Sequence, residues 1–322
     1  MKAMLLAAGL GTRLRPLTYE VPKPMVPVLG RPVMEHILRL MVRHGFDDVI
    51  ANLHYFPDLI RDRFGDGSEY GARLVYSYEP ELMGTAGGVR NAREHFGDET
   101  FLVISGDALT DIDLTALWRA HKEKGGIATL ALKRVDDPRE FGVVIVGEDG
   151  RIQGFQEKPE PAEALSDLGN CGIYVFEPEI FDYFPEREFV DWAMDVFPRL
   201  LDEDVSFYGH EIAEYWNDVG SLEEYRQGNF DALEGRVHVD VPGSANGELP
   251  GDAEVEGAVF IGAGCEIASR VRLTGPVVIG EGSRIGKDAA LRDTIVWPHT
   301  DVDPGTVLIG AVAGERPLAD KL

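Results

Sequence analysis

Apolar and polar positions change period several times along the chain, and each change marks an element. Ala3 to Ala8 are apolar throughout and stop at Gly9, the pattern of a short buried strand. From Pro32 to His44, the residues Met34, Ile37, Leu38, Met41 and Val42 recur at helical spacing, and Gly45 ends the helix. Further strands are predicted at Asp48–Leu53, Leu74–Tyr78, Phe101–Ser105 and Ile127–Leu132, with helices at Pro57–Phe64 and Leu114–Lys124. The segment after Gly84-Thr85-Ala86-Gly87-Gly88, as far as His95, also has helical character. Wholly apolar strands alternating with helices predict an α/β domain whose mostly parallel sheet is covered on both faces.

The middle of the chain reads differently. Phe141–Val146 and Ile152–Gln156, joined by Gly147-Glu148-Asp149-Gly150, predict a hairpin that delivers Glu157-Lys158-Pro159. Asn170-Cys171-Gly172 opens a strand at Ile173–Phe176, and Val190–Leu201 is read as helix. Glu214 to Gly220 ends an extended segment, and Ser221 caps a last helix to about Leu233. Beyond it helical periodicity fades into a six-residue register: Leu249, Val255, Ile261, Ile267, Leu273, Ile279, Ile285 and Leu291. Glycine follows at 262, 280 and 286, and Ile309-Gly310 falls back into step. Such a repeat predicts a short parallel β-helix whose aliphatic residues point inward at its corners. His36, His44 and His299 have no metal-like spacing around them and read as solvated, capping or loop residues.

Length and composition narrow the class. A chain of 322 residues has room for two domains, and the hexad register divides it into 1–234 and 235–322. No apolar run reaches membrane-spanning length, and Met1-Lys2 leads straight into a strand without a signal-peptide pattern. Two cysteines, Cys171 and Cys265, are too few for a disulfide framework, so a cytoplasmic setting is expected. A formal net charge of −25 excludes a nucleic-acid partner, because no basic face is available to neutralise phosphates.

Residues 3 to 28 nevertheless predict an anionic ligand. Gly9 and Gly11 allow a tight turn whose N–H groups can approach an anion. Thr12 adds a hydroxyl, Arg13 a planar guanidinium, and Lys23 a cation stiffened between Pro22 and Pro24. Neither common nucleotide loop fits. Leu14 stands where a dinucleotide fingerprint wants a small residue, and no Gly-Lys-Ser/Thr follows. Two glycines after a strand can also make a plain turn. Asp107 follows an apolar strand and Gly106, and Asp218 lies between Trp216 and Gly220. Either aspartate could be a turn or cap residue, or an oxygen ligand to magnesium together with phosphate oxygens.

The stretch LLAAGLGTRLRPLTYEVPKPMVPV, followed in order by GTAGG, ISGDALTDIDL, FGVVI, FQEKP, NCGIYVF and YWNDVG, resembles the sugar-1-phosphate nucleotidyltransferases. The likeness runs from Met1 to about Leu233, and the hexads resemble those of long-form members, with a left-handed β-helix. Within the family the chain is most similar to mannose-1-phosphate guanylyltransferases. The resemblance implies a Rossmann-like catalytic domain that joins a nucleoside triphosphate to a sugar 1-phosphate and releases pyrophosphate. It implies that Leu6, Ala8, Gly9, Gly11, Thr12 and Arg13 hold the nucleotide, with Lys23 at the departing pyrophosphate. Gly84 and Thr85 would line the base and ribose pocket, and Asp107 and Asp218 would hold Mg2+. Gly142, Glu157 and Asn170 would contact the sugar, and Lys158 its phosphate. Leu10 and Cys171 depart mildly from the family pattern, and neither touches a charged role.

The reaction joins two polyanions, so repulsion is its first obstacle, and Arg13, Lys23, Lys158 and the metal answer it. The attacking phosphate is already ionised, so no general base is required and positioning carries much of the rate. Glu79, five positions before Gly84, is the expected base reader. A carboxylate only accepts hydrogen bonds, and guanine offers two adjacent donors, so Glu79 favours GTP provided that it faces the pocket. The sequence therefore predicts GTP and mannose 1-phosphate as substrates, with homo-oligomers formed through the β-helix. The alternatives are thymidylyl or uridylyl transfer to glucose 1-phosphate, or a non-catalytic regulatory subunit of the same fold. An acyltransferase role for the small hexad domain is improbable, since it shows no obvious base.

Overall fold

A computed structural model describes residues 1–157, 159–241 and 249–314. The chain forms two compact units. One comprises Met1–Leu10, Ile37–Ala108 and Ile112–Trp216; the other comprises Gly11–His36, Leu109–Asp111 and Asn217–Leu322.

The first unit is built on a sheet that has nine strands among the described residues. In chain order these are β1 (Lys2–Leu6), β2 (Asp48–Leu53), β3 (Arg73–Tyr78), β4 (Phe101–Ser105), β5 (Ala128–Arg134), β6 (Gly142–Val146), β7 (Ile152–Glu157), β8 (Leu168–Phe176) and β9 (Tyr208–Glu211). Their order is β7-β6-β8-β4-β1-β2-β3, with β5 pairing β8 and β9. The β4-β1-β2-β3 half is parallel, as the apolar strands predict. The other half turns antiparallel at β8 and ends in the expected hairpin, β6–β7. Met4, Leu5, Phe101, Val103, Val175 and Phe176 are wholly buried. Phe101, Phe176, Trp192 and Phe197 extend the core as near neighbours in an aromatic array. The order reverses around β1: the chain passes from β1 to β2 on one side and later returns to β4 on the other. Such a switch point opens a crevice at the carboxyl ends of the two strands, where Gly9 and Asp107 follow.

Several boundaries differ from the sequence reading. β1 stops at Leu6, two residues short of Ala8, because the N–H of Ala7 turns aside to Asn52 Oδ1 at 2.8 Å. Gly84-Thr85-Ala86-Gly87-Gly88 does not precede a helix but forms its first turns, in Gly84–Asn91, and a short turn at Arg93–Phe96 follows. Glycine is required there for close approach: a Cβ on Gly87 would lie 2.9 Å from Glu188 O. The helix read at 190–201 is a π turn at Trp192–Val196 running into Phe197–Asp202, with Asp191 accepting from Ala193 N and Met194 N. His36, read as solvated or capping, is buried, and its Nε2 lies 3.0 Å from Val28 O.

In the second unit, helix α1 (Leu222–Leu233) begins at Ser221, whose Oγ accepts from Glu224 N at 3.2 Å, as the sequence predicts. The C-terminal strands pair in parallel along successive turns of chain. Val255 pairs Leu273, Leu273 pairs Leu291, and Leu291 pairs Leu308. Ile267 pairs Ile285, and Ile285 pairs Val302. Three hexads thus make each turn, an arrangement consistent with a β-helix. Glycines 262, 280 and 286 sit where turns stack backbone on backbone; a Cβ on Gly280 would lie 2.4 Å from Pro298 N. Two expectations fail here. The last turn is one residue short after Arg292, so Leu308 rather than Ile309 pairs with Leu291, and Ile309 pairs with Arg292 and is 58% exposed. Leu249 and Val255 are exposed too, since no turn stacks on the outer side of the first one among the described residues.

Candidate active site

Two cavities and one charged loop gather most of the expected residues. The first cavity, of about 210 Å³, lies in the first unit and is lined by seven of the expected residues: Leu6, Ala8, Gly9, Glu79, Gly84, Thr85 and Asp107. Leu6 and Asp107, far apart in sequence, converge because β1 and β4 end side by side at the switch point. Asp107, half-buried, emerges just after Gly106, whose N–H donates to Leu6 O at 2.9 Å.

Glu79 is part of the lining of this cavity. It is 1% exposed, and its carboxylate is held from behind. Asn52 Nδ2 donates to Oε1 at 2.8 Å, and Met83 N donates to Oε2 at 3.1 Å. A carboxylate oxygen can accept a second hydrogen bond, so these bonds orient Glu79 without exhausting it. Thr85 is committed within the wall: its hydroxyl donates to Asp191 Oδ2 at 2.7 Å and accepts from Trp192 N at 3.2 Å.

Four lining residues escaped the sequence reading: Asn52, Leu82, Ser105 and Phe189. Asn52 had a signal. It is a lone amide in the apolar strand DVIANL, and a buried polar side chain must find partners. Ala7 N–H and Glu79 satisfy it. Phe189 had none, since only the fold brings the segment before Val190 to this wall.

A second cavity, of about 280 Å³, also lies in the first unit and brings together Gly142 and Asn170 with the apolar side chains of Phe155, Met194, Pro198 and Leu201. Asn170 sits at a bulge in β8, its Nδ2 donating to Tyr174 Oη at 2.9 Å and its Oδ1 accepting from Gly172 N at 3.1 Å. Glu157 is the last residue of β7, and Lys158 lies outside the described residues.

The charged loop belongs to the second unit. Gly11 has φ +61, and a Cβ there would meet Lys23 Cβ at 2.9 Å, so glycine is demanded by both backbone and space. Thr18 Oγ donates to Gly11 O at 2.7 Å and pins the turn. Thr12 and Arg13 begin a 3-10 turn and are exposed. Lys23 is buried, and its Nζ donates to Asp218 O at 2.7 Å. Arg13 Nη2 lies 3.5 Å from Asp218 Oδ2. Three residues expected at the phosphates and metal are therefore one cluster.

Glu224 joins this cluster and was missed, although Ser221-x-x-Glu224 spells a capping box. Its Oε2 accepts from Gly220 N at 3.1 Å, beside Asp218 Oδ1, which accepts from the same N–H at 3.0 Å. Burial, then the neighbouring Asp218, raises the pKa of Glu224. Among the described residues no three His, Cys, Asp or Glu side chains converge as a closed metal site. Magnesium does not need one, because it takes one or two carboxylates and completes its shell with phosphate oxygens and water. Half-buried Asp107 and Asp218 offer that kind of donor.

The nucleotidyl transferase family profile matches residues 2–235. The chain belongs to this family. It is 38% identical to the UTP–glucose-1-phosphate uridylyltransferase of Synechocystis sp., over 100% of this chain and 89% of that protein. It is 36% identical to the mannose-1-phosphate guanylyltransferase of Mycobacterium tuberculosis, over 95% and 82%. A solved UDP-glucose pyrophosphorylase from Acinetobacter baumanii shares the fold, with a TM-score of 0.64 and 22% identity over 72% of this chain and 93% of that one. The family resemblance read from the motifs therefore holds. No helix among the described residues is long and apolar enough to cross a membrane.

Proposed function

We propose that the protein transfers a nucleotidyl group from a nucleoside triphosphate to a sugar 1-phosphate, with GTP and mannose 1-phosphate as its substrates. The observation that carries this is the cavity at the switch point, with Glu79 fixed in its wall and Gly9, Gly84 and Asp107 around it. The base would lie against Glu79, whose oriented oxygens can accept from guanine N1–H and the 2-amino group. Gly9, Gly11, Thr12 and Arg13 would hold the phosphates. Lys23, fixed by a backbone carbonyl, would meet the charge that builds on the departing pyrophosphate. Gly142, Asn170 and Glu157 would orient the sugar, and Lys158 its phosphate. Orientation matters because in-line attack on the α-phosphorus needs the two anions held at contact distance. Asp107 and Asp218 would hold Mg2+, which supplies charge neutralisation at the phosphates when bound.

Residues 1–234 would form the catalytic domain and 235–322 a left-handed parallel β-helix through which chains assemble. The end of the family match at residue 235 supports that division. The exposed Val307 and Ile309 on the short strand Val307–Ile309 support the assembly role.

A second reading, UTP and glucose 1-phosphate, is favoured by the Synechocystis relative. Pyrophosphate release with each nucleotide crossed against several sugar phosphates decides between them. The expected result is release with GTP and mannose 1-phosphate above all other pairs. In Glu79→Gln the preference for GTP over UTP should fall about tenfold, the value of one charge-assisted hydrogen bond. An unchanged ratio removes Glu79 from base reading, and no release from any pair leaves only a regulatory subunit.

A further inference from the structure

Helix α1 carries two buried residues that hold the hairpin following the charged loop. Tyr225 is 1% exposed and Asn229 fully buried. Tyr225 Oη donates to Pro27 O at 3.0 Å, and Leu29 N donates to Asn229 Oδ1 at 3.1 Å. Asn229 Nδ2 donates back to Tyr225 O at 3.0 Å, so the two residues act as one clamp.

Pro27 and Leu29 belong to the small hairpin Pro27–Val28/Arg31–Pro32, which follows the Lys23–Met25 turn directly. Its two-residue turn has φ +45 at Leu29 and +77 at Gly30. Glycine takes that conformation freely, but leucine is held there against its preference. Such strain persists only where surroundings over-determine it.

The same helix also reaches the C-terminal strands. The Trp297 ring lies 6.0 Å from the Tyr225 ring, and Arg226 Nη1 donates to Gly310 O at 2.7 Å. Contact thus runs from the strand array through Tyr225 to the backbone four residues after Lys23.

We propose that Tyr225 and Asn229 are positioning residues for Lys23, and that the C-terminal strands act through Trp297 as their buttress. The proposal rests on the assignment of Lys23 to the departing pyrophosphate. A cation contributes to a transition state only if it is already in place, so a slack hairpin would cost turnover without loss of the fold.

The test uses the full chain and the variants Asn229→Ala, Tyr225→Phe and Trp297→Ala. Kinetics are measured in both directions, and hydrogen–deuterium exchange is read on the peptide spanning residues 23–32. Asn229→Ala and Tyr225→Phe should raise KM for pyrophosphate and lower kcat, each by about tenfold, with KM for the sugar phosphate unchanged. Trp297→Ala should move the same parameters in the same direction. Adding Leu29→Gly to Asn229→Ala should restore most of the loss, because glycine keeps the turn without the clamp. Exchange across 23–32 should quicken in all three single variants. Unchanged exchange overturns the proposal, and so does a loss spread evenly over every kinetic constant without rescue by Leu29→Gly. If the wild-type chain releases no pyrophosphate, the catalytic reading fails, while exchange still decides the clamp.

Discussion

The His121 side chain has no exposed surface and lies between Thr129 Oγ, 2.9 Å from Nδ1, and Glu177 Oε1, 3.2 Å from Nε2. Burial pulls its pKa below the usual 6.5, against the upward pull of Glu177. Burial alone would raise Glu177, but hydrogen bonds from Lys122 and Thr100 bring it below the usual 4.5. Both groups therefore bind protons more readily in the unfolded chain. Their contribution to stability is present above the ordinary values, 6.5 for His121 and 4.5 for Glu177, and is lost as pH falls through the lowered folded-state values. His36, His44 and His210 are lowered by burial too and act with the same sign. The melting temperature should fall between about pH 7.5 and about pH 5.5, by roughly 2–4 °C for each kcal/mol lost. In His121→Asn the slope should be shallower. Calorimetry at fixed ionic strength reads both, and a flat profile in the wild type would refute the assignment. None of this was legible in the sequence, where His121 is one polar residue on an amphipathic helix.

At the scale of elements, Gly84 shows how a glycine-rich run comes to start a helix. Glycine by itself disfavours helix. Packing overrides that preference: Val190 O accepts from Ala86 N at 3.0 Å and from Gly87 N at 2.9 Å, closing the open N-terminus of the helix Gly84–Asn91. Gly84 has φ +80, and a Cβ on it would lie 2.4 Å from Val190 O. Gly84→Ala should therefore lose roughly 1–3 kcal/mol despite the better helix former, because backbone rather than a side-chain tip must give way. Urea denaturation measures this, and an unchanged midpoint would show that the segment carrying Val190 yields freely. Since Gly84 and Phe189 both line the first cavity, KM for the nucleotide should rise as well.

For the whole molecule the formal net charge of −25 is the dominant long-range fact, and it opposes both a polyanionic substrate and self-association. On the proposed assignment Arg13 and Lys23 would answer the opposition to the substrate locally, since distant surface charge is screened beyond about 8–10 Å in physiological salt. At the strand array the exposed apolar Val307 and Ile309 lie in rows with Arg272, Arg292 and Glu254, so the repulsion between chains there comes from the net charge of the whole molecule. Oligomers formed there should dissociate as ionic strength drops from about 0.5 M to about 0.02 M, because repulsion between like-charged chains grows with the Debye length. Sedimentation velocity reads this directly. A monomer at all salt concentrations would remove the assembly role.

The sequence by itself determined the alternation of strands and helices, the hairpin, the Ser221 cap and the family, because these are written in local periodicity and in contiguous motifs. It also singled out Gly9, Glu79 and Asp107, which the structure brings to the wall of one cavity. The tertiary structure alone decided which neighbours hold them. Asn52 behind Glu79, Val190 over Gly84, Asn229 under Leu29 and the shortened turn that exposes Ile309 all depend on partners far away in sequence. Period and propensity describe one residue's immediate neighbours. Hydrogen-bond satisfaction and close packing are settled only when distant segments meet.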